Sequence, residues 1–173
     1  LNYRSSMKTF CNKFIKENPT YKTFIKSANV TINHNKKGFR LPTMNEWLYA
    51  AKGGNKTNNF KYAGSNNLQE VGWVQSNSNK THHQVGLLKA NELGIYDMSG
   101  NVWEWTDTPA HSYAIKLENY VDLNKNMTFI RRGGSWFQNA NNCRVARRYA
   151  SLHSKHTNDL GLRLVIRENI KQL

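Results

Sequence analysis

A chain of 173 residues is the size of one domain built on a single core. Hydrophobic residues make up 38% of it, with five Trp, eight Tyr and seven Phe; this excludes wholesale disorder, and no apolar run reaches the roughly 18 residues of a membrane-spanning helix. The net charge of +14 favours nucleic acid, anionic glycans, membrane surfaces or acidic proteins as partners and says nothing about fold.

The chain opens Leu1-Asn2-Tyr3-Arg4 without Met and reads as a processed or trimmed piece, in which a leader or anchor would be invisible. From Tyr3 to Glu17, Met7, Phe10, Cys11, Phe14 and Ile15 recur at helical spacing, predicting an amphipathic helix that Pro19 closes. Val30 and Ile32 alternate in a polar stretch and predict a small strand. Thr43 followed by Glu46 is a capping box, so a second helix starts at Thr43, carries Trp47, Leu48, Ala50 and Ala51, and stops at Gly53-Gly54. Residues 55–92 are rich in Asn, Gly, Ser and Lys and keep no helical period. They predict long ordered loops pinned by Phe60, Tyr62, Val71, Trp73, Val74, Val85 and Leu87. Gly94 to Met98 is strand-like, Ser99-Gly100 turns, and Val102 to Thr106 alternates as a strand with Trp103 and Trp105 on one face. After a loop over 108–127 come three strand candidates: Phe129 to Arg132, Cys143 to Arg148 and Leu162 to Ile166. Gly133-Gly134, Asn139 to Asn142 and Asn158 to Gly161 separate them, the paired glycines letting backbone approach backbone. Two helices followed by short strands on long loops define a single α+β domain over residues 1–173 with a short antiparallel sheet.

Charge is distributed unevenly. Lys8, Lys13, Lys16, Lys22, Lys26, Lys36, Lys37, Lys52, Lys56 and Lys61 are scattered. A nucleic-acid binder gathers its basic residues on one element with interleaved aromatics, so nucleic acid is not the expected partner. Thr128 to Leu173 does gather nine basic residues, among them Arg131, Arg132, Arg144, Arg147 and Arg148, against Asp159 and Glu168. These are either solubilising charge or part of a binding surface. Cys11 and Cys143 are too few for a disulfide framework and sit in no CxxC pair; they read as buried small hydrophobes or as one bridge. Arg40, Arg144 and Arg163 lie among apolar neighbours, which predicts interior partners, with Asp97 and Glu104 the candidate acids.

Five segments coincide in order. They are Gly38-Phe39-Arg40-Leu41-Pro42-Thr43 with Glu46-Trp47; Asn91 to Trp105, which includes Tyr96-Asp97-Met98-Ser99-Gly100-Asn101-Val102-Trp103-Glu104-Trp105; Arg132-Gly133-Gly134-Ser135-Trp136; Cys143-Arg144-Val145-Ala146-Arg147-Arg148; and Leu160 to Val165. Over about Met7 to Ile166 the chain resembles the formylglycine-generating-enzyme (sulfatase-modifying-factor) family, whose fold is a variant of the C-type lectin. The enzymes of that family use a pair of cysteines a few residues after the Gly-Gly-Ser motif to bind copper and activate oxygen. Phe137 to Asn142 supply none, and Cys143 lies in a motif that members without the activity also carry, so the expectation is a domain without this catalysis. Related sulfoxide synthases hold iron with histidines from an additional domain. Here His34, His82, His83, His111, His153 and His156 are the histidines present; adjacent His82 and His83 would point to opposite faces of a strand, and His153 with His156 lack a third ligand. No cofactor is required on this reading, and calcium is the one ion that the resemblance implies. Family members hold it near this turn with main-chain carbonyls and Asn and Glu side chains, which fall here on Asn101, Val102 and Glu104. In the alternative, Asn101 caps the turn and Glu104 pairs with an arginine.

The segment from about 131 to 163 is also similar to the variable proteins of diversity-generating retroelements. In those, a segment of this shape is rewritten at template adenines, and the substituted side chains line an exposed binding face on a fixed scaffold. Leu162 stands where Phe is usual. The contact residues implied are Phe137, Asn139, Asn141, Arg147, Tyr149, Ser151, His153, His156 and Asn158. Tyr149 to Ser154 follow no helix or strand pattern, and Tyr, Ser, Asn and His suit adaptable recognition surfaces. The expected partner is a protein or glycan ligand on a target surface, and the expected setting is a virion or a cell surface. An accessory domain for structure or protein–protein contact and an enzyme of unrecognised chemistry are the alternatives.

Overall fold

The helix expected at Thr43 forms as its residues require. In a computed structural model, which describes residues 38–110, 128–152 and 155–166, α1 spans Met44–Ala51. The Thr43 hydroxyl accepts from the Glu46 amide at 3.1 Å, and a Glu46 carboxylate oxygen accepts from the Thr43 amide at 2.8 Å. Met44, Trp47 and Ala51 are its buried residues. Gly53 and Gly54 follow at φ of 87° and 56°, a left-handed exit that glycine takes without steric penalty. Residues Phe39 to Val165 make one compact unit; a second, residues 1–38 with 166–173, lies almost wholly outside the described residues. The helix expected over Tyr3 to Glu17, the strand at Val30 and Ile32, and Cys11, His34, His111 and His153 also lie outside them.

Beyond α1 the chain runs as loops, with a 3-10 turn at Gly54–Lys56 and one short helix, α2 (Leu68–Val71), where only loop was expected. Four residues are too few for a helical period to register; the Asn67 side chain starts this turn by accepting from the Gln69 amide. Tyr62, Leu68, Val71 and Val74 pack with Cys143 in one apolar cluster, and Trp47, Ala51, Ala63, Met98 and Val145 form another. Phe60 and Trp73 are half-buried. Val85 and Leu87, expected as anchors, are 53% and 57% exposed and pin nothing.

Four strands form the main sheet: β2 (Trp103–Pro109), β3 (Thr128–Arg132), β4 (Arg148–Leu152) and β5 (Leu160–Leu162), in the order β4-β3-β2-β5. β1 (Phe39–Arg40) and β6 (Val165–Ile166) are two-residue strands. β2–β3 and β3–β4 are antiparallel, with Glu104 opposite Arg132 and Arg131 opposite Tyr149. β2–β5 is parallel, with Trp103 opposite Leu160. The α+β fold is as expected, but the sheet is mixed rather than antiparallel. The Trp103 amide donates to the Asp159 carbonyl, which lays β5 alongside β2 in the same direction.

Three strand expectations change. Gly94 to Met98 is a turn, because Gly94 and Asp97 hold positive φ and the Asn91 side chain accepts from the Leu93 and Ile95 amides, closing the segment on itself. Cys143 to Arg148 is not a strand. Ala140–Cys143 is a 3-10 turn capped by Asn139, and the Arg132 guanidinium takes the Val145 and Arg147 carbonyls, so those groups never enter a ladder. The strand starts at Arg148 instead and runs through Tyr149 to Leu152, where irregular loop was expected. Leu162 to Ile166 splits into β5 and β6 because Arg163 turns aside to reach Glu104.

Candidate functional site

The candidate site is the C-terminal surface between β3 and β5, and buried groups form its floor. Gly134 sits at φ 77°, and a Cβ there would overlap the Cys143 sulfur. Cys143 is fully enclosed, its thiol is free, and burial pushes its pKa from 9.0 up to about 12. It is a packing group, unreactive at neutral pH. Ser135, also enclosed, donates to Asp159 at 2.9 Å, and Thr157 donates to the other Asp159 oxygen at 2.6 Å. The Trp136 amide donates to the Asn101 carbonyl at 2.7 Å, and the Ser78 hydroxyl donates to the Trp136 carbonyl at 3.0 Å. These bonds fix the loop that carries Phe137 and Asn139.

Two arginines that the sequence offered as surface charge are structural. Arg132 is 2% exposed, lies over the Trp47 ring at 5.8 Å, and donates to the Val145 and Arg147 carbonyls at 3.3 and 3.2 Å. It thereby sets the path of the chain into β4. Arg131 is 7% exposed and lies against both the Trp103 and Tyr149 rings, 4.7 and 4.9 Å from their centroids. Sequence reasoning missed its place under the site. The alternation Phe129-Ile130-Arg131-Arg132 would have shown it, had the strand over 148–152 been recognised as its neighbour.

Seven of the nine expected contact residues stand exposed: Phe137, Asn139, Asn141, Arg147, Tyr149, His156 and Asn158. Ser151 does not. As a strand residue opposite Phe129 it is 6% exposed, and it leaves the list of contact residues. His153 lies outside the described residues. Phe137 is 61% exposed and meets the Trp136 ring edge-on at 5.6 Å, while Tyr149 is 49% exposed.

The expected arginine partners divide. Arg163 reaches Glu104 in the interior, as expected, with Nε at 3.0 Å and Nη2 at 2.9 Å. Arg40 pairs instead with Glu46 at the helix start and holds that carboxyl at about 2, from 4.5. Arg144 is exposed and donates to the Asn141 carbonyl at 3.3 Å. Asp97 accepts from the Gly86 amide at 2.8 Å, and burial pushes its pKa up.

The same bonds decide how calcium fits. Glu104 accepts from Trp47 Nε1 at 2.7 Å as well as from Arg163, so its charge and both oxygens are committed. Asn101, at φ 59°, accepts from the His83 amide and donates to the His83 carbonyl, and its own carbonyl takes the Trp136 amide. The turn around Asn101, Val102 and Glu104 therefore does not fit a calcium ion without displacing Arg163. His83 stacks on Trp73 at 3.8 Å, and its Nε2 is 2.8 Å from the Ser78 carbonyl oxygen. Among the described residues no three His, Cys, Asp or Glu side chains gather as a metal site.

Over residues 5–168 the chain matches the family described as sulfatase-modifying factor enzyme 1-like domain. It is 42% identical over 139 residues to the Chaperone protein LppX of Paenibacillus barcinonensis, a span of 68% of this chain and 45% of that protein. It is 30% identical over 142 residues to the Inactive C-alpha-formylglycine-generating enzyme 2 of Bos taurus, covering 73% and 44%. Proteins named formylglycine-generating enzyme match as well; that of Mycobacterium tuberculosis (strain ATCC 25618 / H37Rv) is 36% identical over 91 residues, 41% of this chain and 27% of that one. The solved structure of Treponema denticola variable protein 1 superposes with a TM-score of 0.67 at 33% identity, covering 83% of this chain and 54% of that one. The chain thus spans less than half the length of these curated relatives. With the family match running nearly end to end and the fold shared with the variable protein, the chain belongs to the sulfatase-modifying-factor (formylglycine-generating-enzyme) family and carries its C-type-lectin-like fold.

Proposed function

We propose that this domain is a non-catalytic recognition module whose C-terminal surface, around residues 137–158, binds a protein or glycan on a target surface, in the manner of diversity-generating retroelement variable proteins. One observation carries the reading. Phe137, Asn139, Asn141, Arg147, Tyr149, His156 and Asn158 are all exposed, while Arg132 and Ser135 of the same segment are enclosed and bond inward. Such a frame keeps its shape while the displayed side chains change. Residues 137–142 offer no thiol, and Cys143 is enclosed with its proton held, so the paired-thiol chemistry has no counterpart here. The likeness to Treponema denticola variable protein 1 and to a relative named inactive supports the same conclusion. A virion or cell surface is the setting that suits it.

Sequencing the coding locus across isolates tests this reading. Substitutions confined to adenines in codons of the exposed positions, beside a near-duplicate of the segment for Arg132 to Arg163, are the expected result. Substitutions spread evenly over buried and exposed codons would overturn it. A second reading, an accessory domain for protein–protein contact, is favoured by the 42% identity to a protein named as a chaperone. It predicts a locus without such a duplicate and a surface that is constant between isolates.

A further inference from the structure

Arg131 is a buried cation without an acid of its own. None of the ion pairs among the described residues includes it, and its Nε has no hydrogen-bond partner. Its neighbour in charge, Asp159, already has its two oxygens taken by Ser135 and Thr157. Burial pushes the Arg131 pKa down, and Asp159 only partly counters that. A buried charge left unpaired is costly, and in a folded domain such a charge normally has a partner.

The geometry says where the partner has to come from. Trp103 and Tyr149 stand beside the guanidinium, 4.7 and 4.9 Å from its carbon, and their own centroids are 6.0 Å apart, so the rings line adjoining sides and do not sandwich it. Of the three side-chain nitrogens only Nε is both enclosed and unbonded, so the Nη edge is not walled in. A guanidinium edge offers parallel N–H donors in one plane, the shape that a carboxylate accepts with two oxygens at once. Tyr149 is one of the exposed residues of the recognition surface. Arg144, Arg147 and Lys155 on the same segment are exposed and take part in no ion pair among the described residues, so the surroundings also attract an anion.

Resting on the recognition reading above, we propose that Arg131, set beside Trp103 and Tyr149, is the anion-recognition residue of that surface, and that it takes a side-chain carboxylate of an acidic protein partner. An exposed Tyr beside an arginine is a pairing that protein interfaces favour for their strongest contacts. The target docks an Asp or Glu against the Nη edge, with the Tyr149 ring alongside.

The test is a titration of the full chain, followed by tryptophan fluorescence with Trp103 next to the site, using hexaglutamate, hexaglutamine and a sulfated hexasaccharide as probes at one low salt concentration. Saturable binding of hexaglutamate with no response to hexaglutamine is expected. Arg131→Lys, which keeps the charge and loses the planar fork, is expected to weaken hexaglutamate binding at least about tenfold, and Arg144→Gln by less than about threefold. Tyr149→Leu, a change at an exposed ring that leaves the core intact, is expected to weaken it about tenfold, which keeps the test open if Arg131→Lys lowers the yield of folded protein. Unchanged affinity in Arg131→Lys, equal losses in Arg131→Lys and Arg144→Gln, or tighter binding of the sulfated sugar would each overturn the proposal. If hexaglutamate fails to bind while coding changes between isolates still cluster at Phe137 and Asn139, the recognition surface stands and only the role of Arg131 falls.

Discussion

Arg163 meets Glu104 through two hydrogen bonds, from Nε at 3.0 Å and from Nη2 at 2.9 Å, onto a carboxylate whose side chain is 7% exposed. Trp47 adds a third donor from α1, so one acid joins helix, sheet and C-terminal segment. Removing the acid takes both of these charge-assisted bonds from Arg163 and the third from Trp47. Glu104→Gln is expected to cost about 3 kcal/mol, read as a fall in the urea midpoint. A loss below about 1 kcal/mol would place the pair among ordinary surface bridges.

Glu104 and Asn101 bond within the protein, so a calcium ion on the turn would have to take Glu104 from Arg163. The melting temperature is expected to be the same in excess calcium and in excess chelator. A rise of several degrees with calcium alone would mean that Arg163 yields to the ion, since a ligand that binds only the folded state raises its stability.

Cys143 gives a pH dependence with a definite sign. The folded chain keeps a thiol proton that the unfolded chain releases, because burial pushes the pKa from 9.0 to about 12. Its stabilising contribution is complete below about pH 9 and is lost as pH rises toward 12. Urea midpoints measured from pH 7 to 10.5 should therefore fall more steeply for the native chain than for Cys143→Ala. Parallel slopes would show that the thiol titrates normally. A thiol reagent at pH 8 should modify Cys143 only after denaturant is added.

Glu46 acts at the other end of the scale. Arg40, and then the Thr43 amide and hydroxyl, hold its carboxyl at about 2 from 4.5. The folded state thus releases a proton that the unfolded chain keeps, so the contribution is present above about pH 4.5 and is lost as pH falls toward 2. The side chain is 45% exposed, so solvent screens much of the effect. Glu46→Gln is expected to cost about 1 kcal/mol at pH 7 and to flatten the acid limb between pH 4.5 and 2.5. An unchanged acid limb would remove Glu46 from the account.

The capping box and the Gly53-Gly54 stop were legible from residue type and spacing, whereas the sequence offers Arg163 and Glu104 only among three candidate arginines and two candidate acids, and Cys143 as either buried or bridged. What escaped was governed by partners far along the chain. Cys143 to Arg148 alternates like a strand, yet Arg132 claims its carbonyls. Tyr149 to Leu152 has no strand pattern because its outward residues are displayed rather than packed, and its pairing with β3 supplies the order. That misplacement also hid Arg131 and made Ser151 look available.

The frame is expected to hold without the side chains it displays, and the melting temperature tests this most directly. Chains in which Phe137, Asn139, Asn141, Arg147, Tyr149, His156 and Asn158 are replaced together by random combinations are expected to melt within about 5 °C of the native chain. Gly134→Ala, which drives a methyl group into Cys143 at a left-handed φ, is expected to fall further than that. Unfolding across the randomised set, with Gly134→Ala unharmed, would contradict the account.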